Sequence, residues 1–185
     1  MPPSSHLFQD SGSISNNPIL PLLIYPSAAP PDPEAIGAMF QRNGWPPAWR
    51  YGVYSYPHYH STAHEVLGVY RGSAKIRLGH TAGEVFEVKA GDVIVIPAGV
   101  GHENLGSTPE FHVVGAYPRG QIADLLRGKP GERPEADERI ARVSLPESDP
   151  VFGEDGPLVR LWNKAAEGQG GRGGCTLERV DNCQR

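Results

Sequence analysis

GVYSYPHYHSTAHEVLGVYRG, residues 52–72, and GDVIVIPAGVGH, residues 91–102, decide how this chain folds. In the first stretch His58 and His60 are one residue apart, so on an extended backbone both imidazoles point to the same side. His64 and Glu65 follow, and Glu65 opens the apolar run VLGVY. In the second, Val93, Ile94, Val95 and Ile96 show no polar alternation, the pattern of a strand covered on both faces, and His102 comes just after it. A carboxylate at the mouth of one buried strand and an imidazole beyond another are costly unless hydrogen-bonded or bound to a cation. One metal ion satisfies His58, His60, Glu65 and His102 together. Three neutral imidazoles and a carboxylate form a mixed N/O set suited to iron(II), manganese, nickel, zinc or cobalt, and poorly suited to calcium or copper(I). His64, beside Glu65 in a strand, faces the opposite way and reads as a second-layer or outer-face residue. A shifted set of His60, His64 and His102 is the competing arrangement.

Working outward, strands are expected near 50–56, 64–71, 73–79, 84–88, 92–96, 103–105 and 110–117, separated by Gly72, the GHTAG turn, Ala90-Gly91 and the GSTP stretch. Lys75 and Arg77 alternate with Ile76 and Leu78, which places the latter two inside. Glycine (23) and proline (19) in 185 residues are too many for a helical bundle, and the length suits one compact all-β domain. Residues 1–17 read as a disordered leader. Ile19 to Tyr25 is a covered arm or edge strand, because Pro18, Pro21 and Pro26 argue against a central position. The one helix expected lies in PPDPEAIGAMFQRNGW, with Asp32 as cap, Pro33 in the first turn, Ile36, Met39 and Phe40 as the apolar stripe and Gly44 as the stop. Trp45 and Trp49 read as a lid or clamp over the barrel mouth. Beyond residue 118, GERPEADER reads as a charged loop, and IARVSLP and GPLVRLW as short peripheral strands. Residues 165–185 form a Gly-rich flexible tail carrying Cys175 and Cys183, expected as free thiols rather than a small loop disulfide.

The net charge of −4, with no cluster of lysine or arginine, disfavours nucleic acid as a partner and leaves small molecules and proteins. The longest apolar run, Ile19 to Tyr25, is too short to span a bilayer, and the opening residues do not read as a secretory signal, so a cytoplasmic location is expected.

The two opening stretches resemble the two sequence motifs of the cupin superfamily, the first at every spaced position and the second over most of its length. The wider pattern, including NNPILPLLIY, VVGAYPRG and GPLVRLW, resembles the YjlB-type branch of cupins. The resemblance implies a small jelly-roll β-barrel (double-stranded β-helix) with an N-terminal arm, occupying residues 18–164 with its core at about 48–118. It further implies one divalent transition metal per chain (Fe, Mn, Ni or Zn) held by His58, His60, Glu65 and His102. One departure stands out: Gly106 occupies the position where the family usually has asparagine, and Asn104 lies two residues earlier.

Strand parity places Arg50, Tyr54 and Tyr56 on the face of His58, as candidates to orient a substrate or transfer a proton. The resulting expectation is a metal-dependent enzyme on a small organic substrate, an Fe(II) or Mn oxygenase in its leading form. A metal-dependent isomerase or decarboxylase, and a non-catalytic metal- or ligand-binding cupin, are the alternatives. The apolar arm and the doubly covered 92–96 strand add the expectation of a homodimer.

Overall fold

The computed structural model describes residues 2–170, with side chains through residue 168. Nine strands form two antiparallel sheets. In chain order they are β1 (Ser4–His6), β2 (Leu22–Tyr25), β3 (Pro47–Tyr51), β4 (Glu65–Arg71), β5 (Ser73–Leu78), β6 (Glu84–Lys89), β7 (Val93–Ile96), β8 (His102–Ser107) and β9 (His112–Ala116). The larger sheet runs β1-β2-β7-β4-β9-β3 and the smaller β6-β5-β8. Helices α1 (Pro33–Arg42), α2 (Glu135–Arg142) and α3 (Pro157–Gly170) complete the described structure.

Alternation along the strands builds two apolar layers. Leu22, Ile24, Leu67, Val69, Ile94, Ile96 and Val113 point between the sheets to meet Ala74, Ile76 and Leu78 of β5. Their alternate neighbours Leu23, Tyr25, Val66, Val93, Val95 and Val114 form a second layer on the outer face of the larger sheet. That outer face is covered by the chain itself, through Ile36 and Phe40 of α1 and Leu158 and Trp162 of α3. Helix α1 comes so close that a Cβ on Gly68 would lie 2.7 Å from Ile36 Cγ2. Its start is as expected, with the Asp32 carboxylate accepting the Ala35 N–H at 2.7 Å.

The peripheral segments depart from the sequence expectations. The leader is ordered: β1 pairs with β2, Phe8 joins the core, and Ile14 is fully buried. Its polarity serves bonding rather than solvation, since the Asn16 side chain donates to Gly79 O at 3.0 Å and accepts from Gly101 N at 3.0 Å. β2 is an interior strand, paired with β7 as well as β1, because Pro21 and Pro26 bound it without interrupting it. GPLVRLW is the start of α3, not a strand. Leu158, Trp162 and Ala165 form an i, i+4, i+7 stripe, and buried Asp149 accepts the Leu158 N–H at 3.0 Å and the Tyr25 hydroxyl at 2.6 Å. The charged GERPEADER segment likewise runs into α2, where Ala136 and Ile140 are buried. Residues 165–170 continue α3, whereas Cys175 and Cys183 lie outside the described residues.

Candidate metal centre

His58 and His102 meet because their backbones form an isolated antiparallel pair, His58 N donating to His102 O at 3.1 Å and His102 N to His58 O at 2.9 Å. The two rings are consequently 4.0 Å apart between centroids. His60 lies two residues along the same extended segment, while the intervening Tyr59 turns away to donate its hydroxyl to Glu132 at 3.0 Å. Glu65 enters from the first position of β4, 3.4 Å from His60 Nε2 and 3.2 Å from His102 Nε2. Ligand atoms of His58, His60 and His102 all lie within 4.8 Å of one another. The four residues proposed from sequence are thus brought together, and all are buried.

The outer ring nitrogens are already committed. His58 Nδ1 faces Tyr56 O at 3.1 Å, His102 Nδ1 faces Val100 O at 3.1 Å, and His60 Nδ1 is bonded to Asp124 O. A carbonyl accepts, so each Nδ1 carries a proton, and a ring in its neutral form turns its Nε2 lone pair inward. His102 Nε2 then has no proton to offer Glu65, and the fully buried Glu65 Oε2 has no hydrogen-bond partner. Two acceptors held 3.2 Å apart in a buried site are mutually repulsive unless a cation lies between them. The residues present therefore fit a divalent transition metal, which His58, His60, Glu65 and His102 would hold.

Electrostatics agree with that assignment. Burial, with His102 adding, pushes His58 down to about 3, so it stays neutral. Burial opposes ionisation of Glu65, yet in metal-free protein the His60 imidazole holds its carboxyl well below the usual carboxylate range. Burial also opposes a charged His60, but the Glu65 carboxylate outweighs it and raises the imidazole. In metal-free protein the His60 contribution is full below the unfolded imidazole value of about 6.5 and is lost as pH rises through the raised folded value. The Glu65 contribution is present above about 4.3 and is lost only as pH falls through its lowered folded value. Chelator-stripped protein should therefore lose melting temperature between pH 6 and pH 8, whereas metal-loaded protein should hold it. Equal melting of stripped protein at both pH values would contradict the pairing.

A cavity of about 430 Å³ opens above these four residues, lined also by Trp49, Val53, Tyr54, Leu67, Tyr117 and Leu125. Among the described residues no lysine or arginine lines it. Arg50, expected in the wall, instead points outward and pairs with Glu34 of α1 at 2.5 Å. The strand ends at Tyr51 and residues 52–57 are irregular, so counting back from His58 in twos misassigns the face, and Trp49 takes the wall position. Tyr54 does reach the cavity. Tyr56 does not line it, but stacks on Tyr54 at 4.8 Å with the Arg127 guanidinium 3.9 Å above its own ring. Trp45 belongs to the outer core, donating its indole N–H to Ser148 O at 2.8 Å. His64 lies on the far side of the sheet, its Nδ1 accepting the Ala98 N–H at 2.9 Å and its ring against Trp162, which removes the shifted ligand set.

Tyr117 was not among the expected site residues. Its hydroxyl accepts from Trp49 Nε1 at 3.0 Å, and burial together with the Glu65 carboxylate raises the phenol, so it stays protonated. Asn104 caps a local turn, its Oδ1 accepting Gly106 N–H at 2.9 Å beside a register shift in the β5–β8 ladder, and takes no part in the site.

Two facing antiparallel sheets, with a His-x-His pair, a glutamate and a later histidine converging in the mouth, define a cupin, and the family model described as Cupin matches residues 51–119. Within that superfamily the chain belongs to the YjlB-like branch. The Bacillus subtilis (strain 168) protein described as "Uncharacterized protein YjlB" is 43% identical over 160 residues, spanning 86% of this chain and 96% of that one. Among solved structures, pumpkin seed globulin is 25% identical with a TM-score of 0.36, over 51% of this chain and 28% of that one. A Klebsiella pneumoniae protein with a double-stranded β-helix domain is 18% identical with a TM-score of 0.32, over 69% of this chain and 81% of that one. This chain spans under a third of the globulin's length. Among the described residues no helix is long and apolar enough to cross a membrane.

Proposed function

We propose that this chain is a metal-dependent enzyme acting on a small, uncharged, oxygen-chelating organic substrate, as an oxygenase using iron(II) or manganese. The observation that carries the proposal is a cluster of acceptor atoms, with one buried carboxylate oxygen unpartnered, at the base of a mostly apolar cavity that no cationic side chain among the described residues lines. A bound metal would supply a charge-stabilising centre for substrate oxygens and a redox partner for dioxygen. The chain's own residues do the rest. Trp49, Val53 and Leu67 exclude water from an apolar substrate body. With one lone pair of Tyr117 occupied by Trp49, the phenolic hydrogen bond would pass from the nearby Glu65 carboxylate to a substrate oxygen once Glu65 holds a metal. Because no arginine or lysine among the described residues lines the wall, a dicarboxylate would meet no side-chain counter-charge there, which disfavours anionic substrates.

Metal analysis of anaerobically purified protein, followed by oxygen-uptake assays on enediols, β-diketones and catechols after iron loading, tests this. Zinc alone in the protein, with no oxygen uptake after iron loading, overturns the oxygenase. One observation favours a second reading: a protonated phenol beside the metal centre suits proton transfer, hence an isomerase or decarboxylase using zinc or nickel. Product formed without oxygen selects it. Thermal shifts with metabolites and no product would mark a non-catalytic binding cupin. Tyr117→Phe should weaken 4-nitrocatechol binding by about tenfold, the value of one hydrogen bond of about 1.4 kcal/mol, at unchanged metal content. Equal affinity would remove Tyr117 from the site.

The chain also supports a homodimer proposal, on different grounds from the arm, whose apolar residues are covered within the subunit. β1 and β3 each end the larger sheet with one unpaired edge, and Tyr51 on β3 is 70% exposed. Sedimentation equilibrium should show twice 20.0 kDa, and a 20.0 kDa species across the concentration range would defeat the dimer.

A further inference from the structure

The three histidines of the centre are not held alike. His58 and His102 each use a carbonyl two residues back in their own segment. His60 uses the carbonyl of Asp124, 64 positions away, on a stretch after β9 that has no helix or strand of its own. That stretch also forms one wall of the cavity, through Ala123, Asp124 and Leu125.

We infer that Asp124 and Arg139 are positioning residues for the metal ligand His60, so that the cavity wall and the metal centre are held as one unit. The inference rests on the metal-centre reading above. The stretch is stapled to the residues flanking His60 in register. Tyr59 N donates to Leu126 O at 2.9 Å and Leu126 N returns to Tyr59 O at 3.0 Å. Thr62 Oγ1 donates to Ile122 O at 2.8 Å and accepts the Asp124 N–H at 2.9 Å. Between these, the Asp124 carboxylate accepts the Ser61 N–H at 2.6 Å and the Ser61 hydroxyl. Arg139 of α2 closes the set, its Nε donating to Ser61 Oγ at 2.7 Å and lying 3.7 Å from Asp124 Oδ2.

The polarity is consistent throughout, with Ser61 donating to the carboxylate and accepting from the guanidinium. Ser61 is fully buried, so no solvent competes for these bonds at the serine. The Asp124 side chain therefore fixes the carbonyl of its own residue against His60 Nδ1, and that carbonyl fixes the plane in which His60 Nε2 faces Glu65. The Tyr59 and Thr62 bonds do not involve the Asp124 side chain, so its loss should loosen His60 without releasing the whole stretch.

Cobalt(II) alone serves as the probe, read by competition with a chromophoric chelator and by its visible absorption, with melting of the stripped protein as control. Asp124→Ala should lower cobalt(II) affinity 10- to 100-fold and alter the visible band, while stripped protein melts within a few degrees of wild type. Arg139→Met should give a smaller loss in the same direction, and Asp124→Asn, which keeps an acceptor for Ser61, should restore most of the affinity. If Asp124→Ala does not fold, the other two variants decide on the same readouts. Lower melting with cobalt(II) affinity and absorption unchanged would show a structural role only and overturn the inference. Wild-type protein that binds no cobalt(II) would instead overturn the metal-centre reading, and this inference with it.

Discussion

If the centre holds a metal as proposed, His102→Ala is expected to reduce bound metal to less than a tenth of the wild-type content, and to abolish any rise in melting temperature on metal loading. His102 contributes more than one donor atom. Its backbone pairs with His58, its ring is 4.0 Å from the His58 ring, and its Nε2 lies 3.2 Å from Glu65. Alanine preserves the backbone pair but leaves two imidazoles and a carboxylate facing a void, so the loss should exceed the roughly 100-fold upper range for an outer-layer partner. A ligand at about 1,000 times its Kd stabilises the folded state by about 4 kcal/mol, and this increment should vanish in the variant. Elemental analysis and paired melting curves measure both. His64→Ala is the contrasting case. It removes a buried ring packed on Trp162 and the acceptor for Ala98 N–H, so stability should fall while metal stoichiometry stays at one. Lost metal in His64→Ala would reinstate the shifted ligand set, and full occupancy in His102→Ala would remove His102 from both arrangements.

That these four side chains would converge was legible because their spacing carries its own geometry. One residue between His58 and His60 puts both on one side, and a carboxylate at the head of a buried strand needs a hydrogen-bond donor or a cation wherever the chain goes. The cavity wall was less legible. Parity predicts a face only while the strand lasts, and between Tyr51 and His58 it does not, which misplaced Arg50 and concealed Trp49. The same rule, extended along β9, contained a signal that went unread: residues 111, 113, 115 and 117 share a face, so Tyr117 follows from the inward Phe111 and Val113. GPLVRLW illustrates a different difficulty: Leu158, Val159, Leu161 and Trp162 fall in adjacent pairs, which fits an i, i+3, i+4 stripe better than alternation. The outer face of the larger sheet, which needed covering, favours the helix as well. The leader misled through composition, because asparagines that fill buried backbone bonding positions resemble asparagines of a solvated segment.

Gly115→Ala should lower stability by about 2–4 kcal/mol and weaken 4-nitrocatechol binding by more than the tenfold expected of Tyr117→Phe. Gly115 lies in β9 between Leu67 of β4 and Trp49 of β3. The indole lies across its bare backbone, so that a Cβ there would meet Trp49 Cε2, Cζ2 and Nε1 at 2.1, 2.3 and 2.5 Å. A rigid ring cannot absorb such an overlap. It must rotate, or the edge strand β3 must peel away, and either movement breaks the 3.0 Å bond to Tyr117 and reshapes the cavity. Overpacking of this kind costs about 1–3 kcal/mol and the lost hydrogen bond about 1 more. At about 2–4 °C per kcal/mol for a chain of this size, melting should fall by about 5–15 °C. Metal content should match wild type, because the proposed ligands come from the 58–60 segment, β4 and β8 and none from β3. A double-mutant cycle isolates the cause: with Trp49→Ala already in place the added methyl has no ring to strike, so Gly115→Ala should then cost little. If it costs as much without the indole as with it, the glycine is not there to seat Trp49.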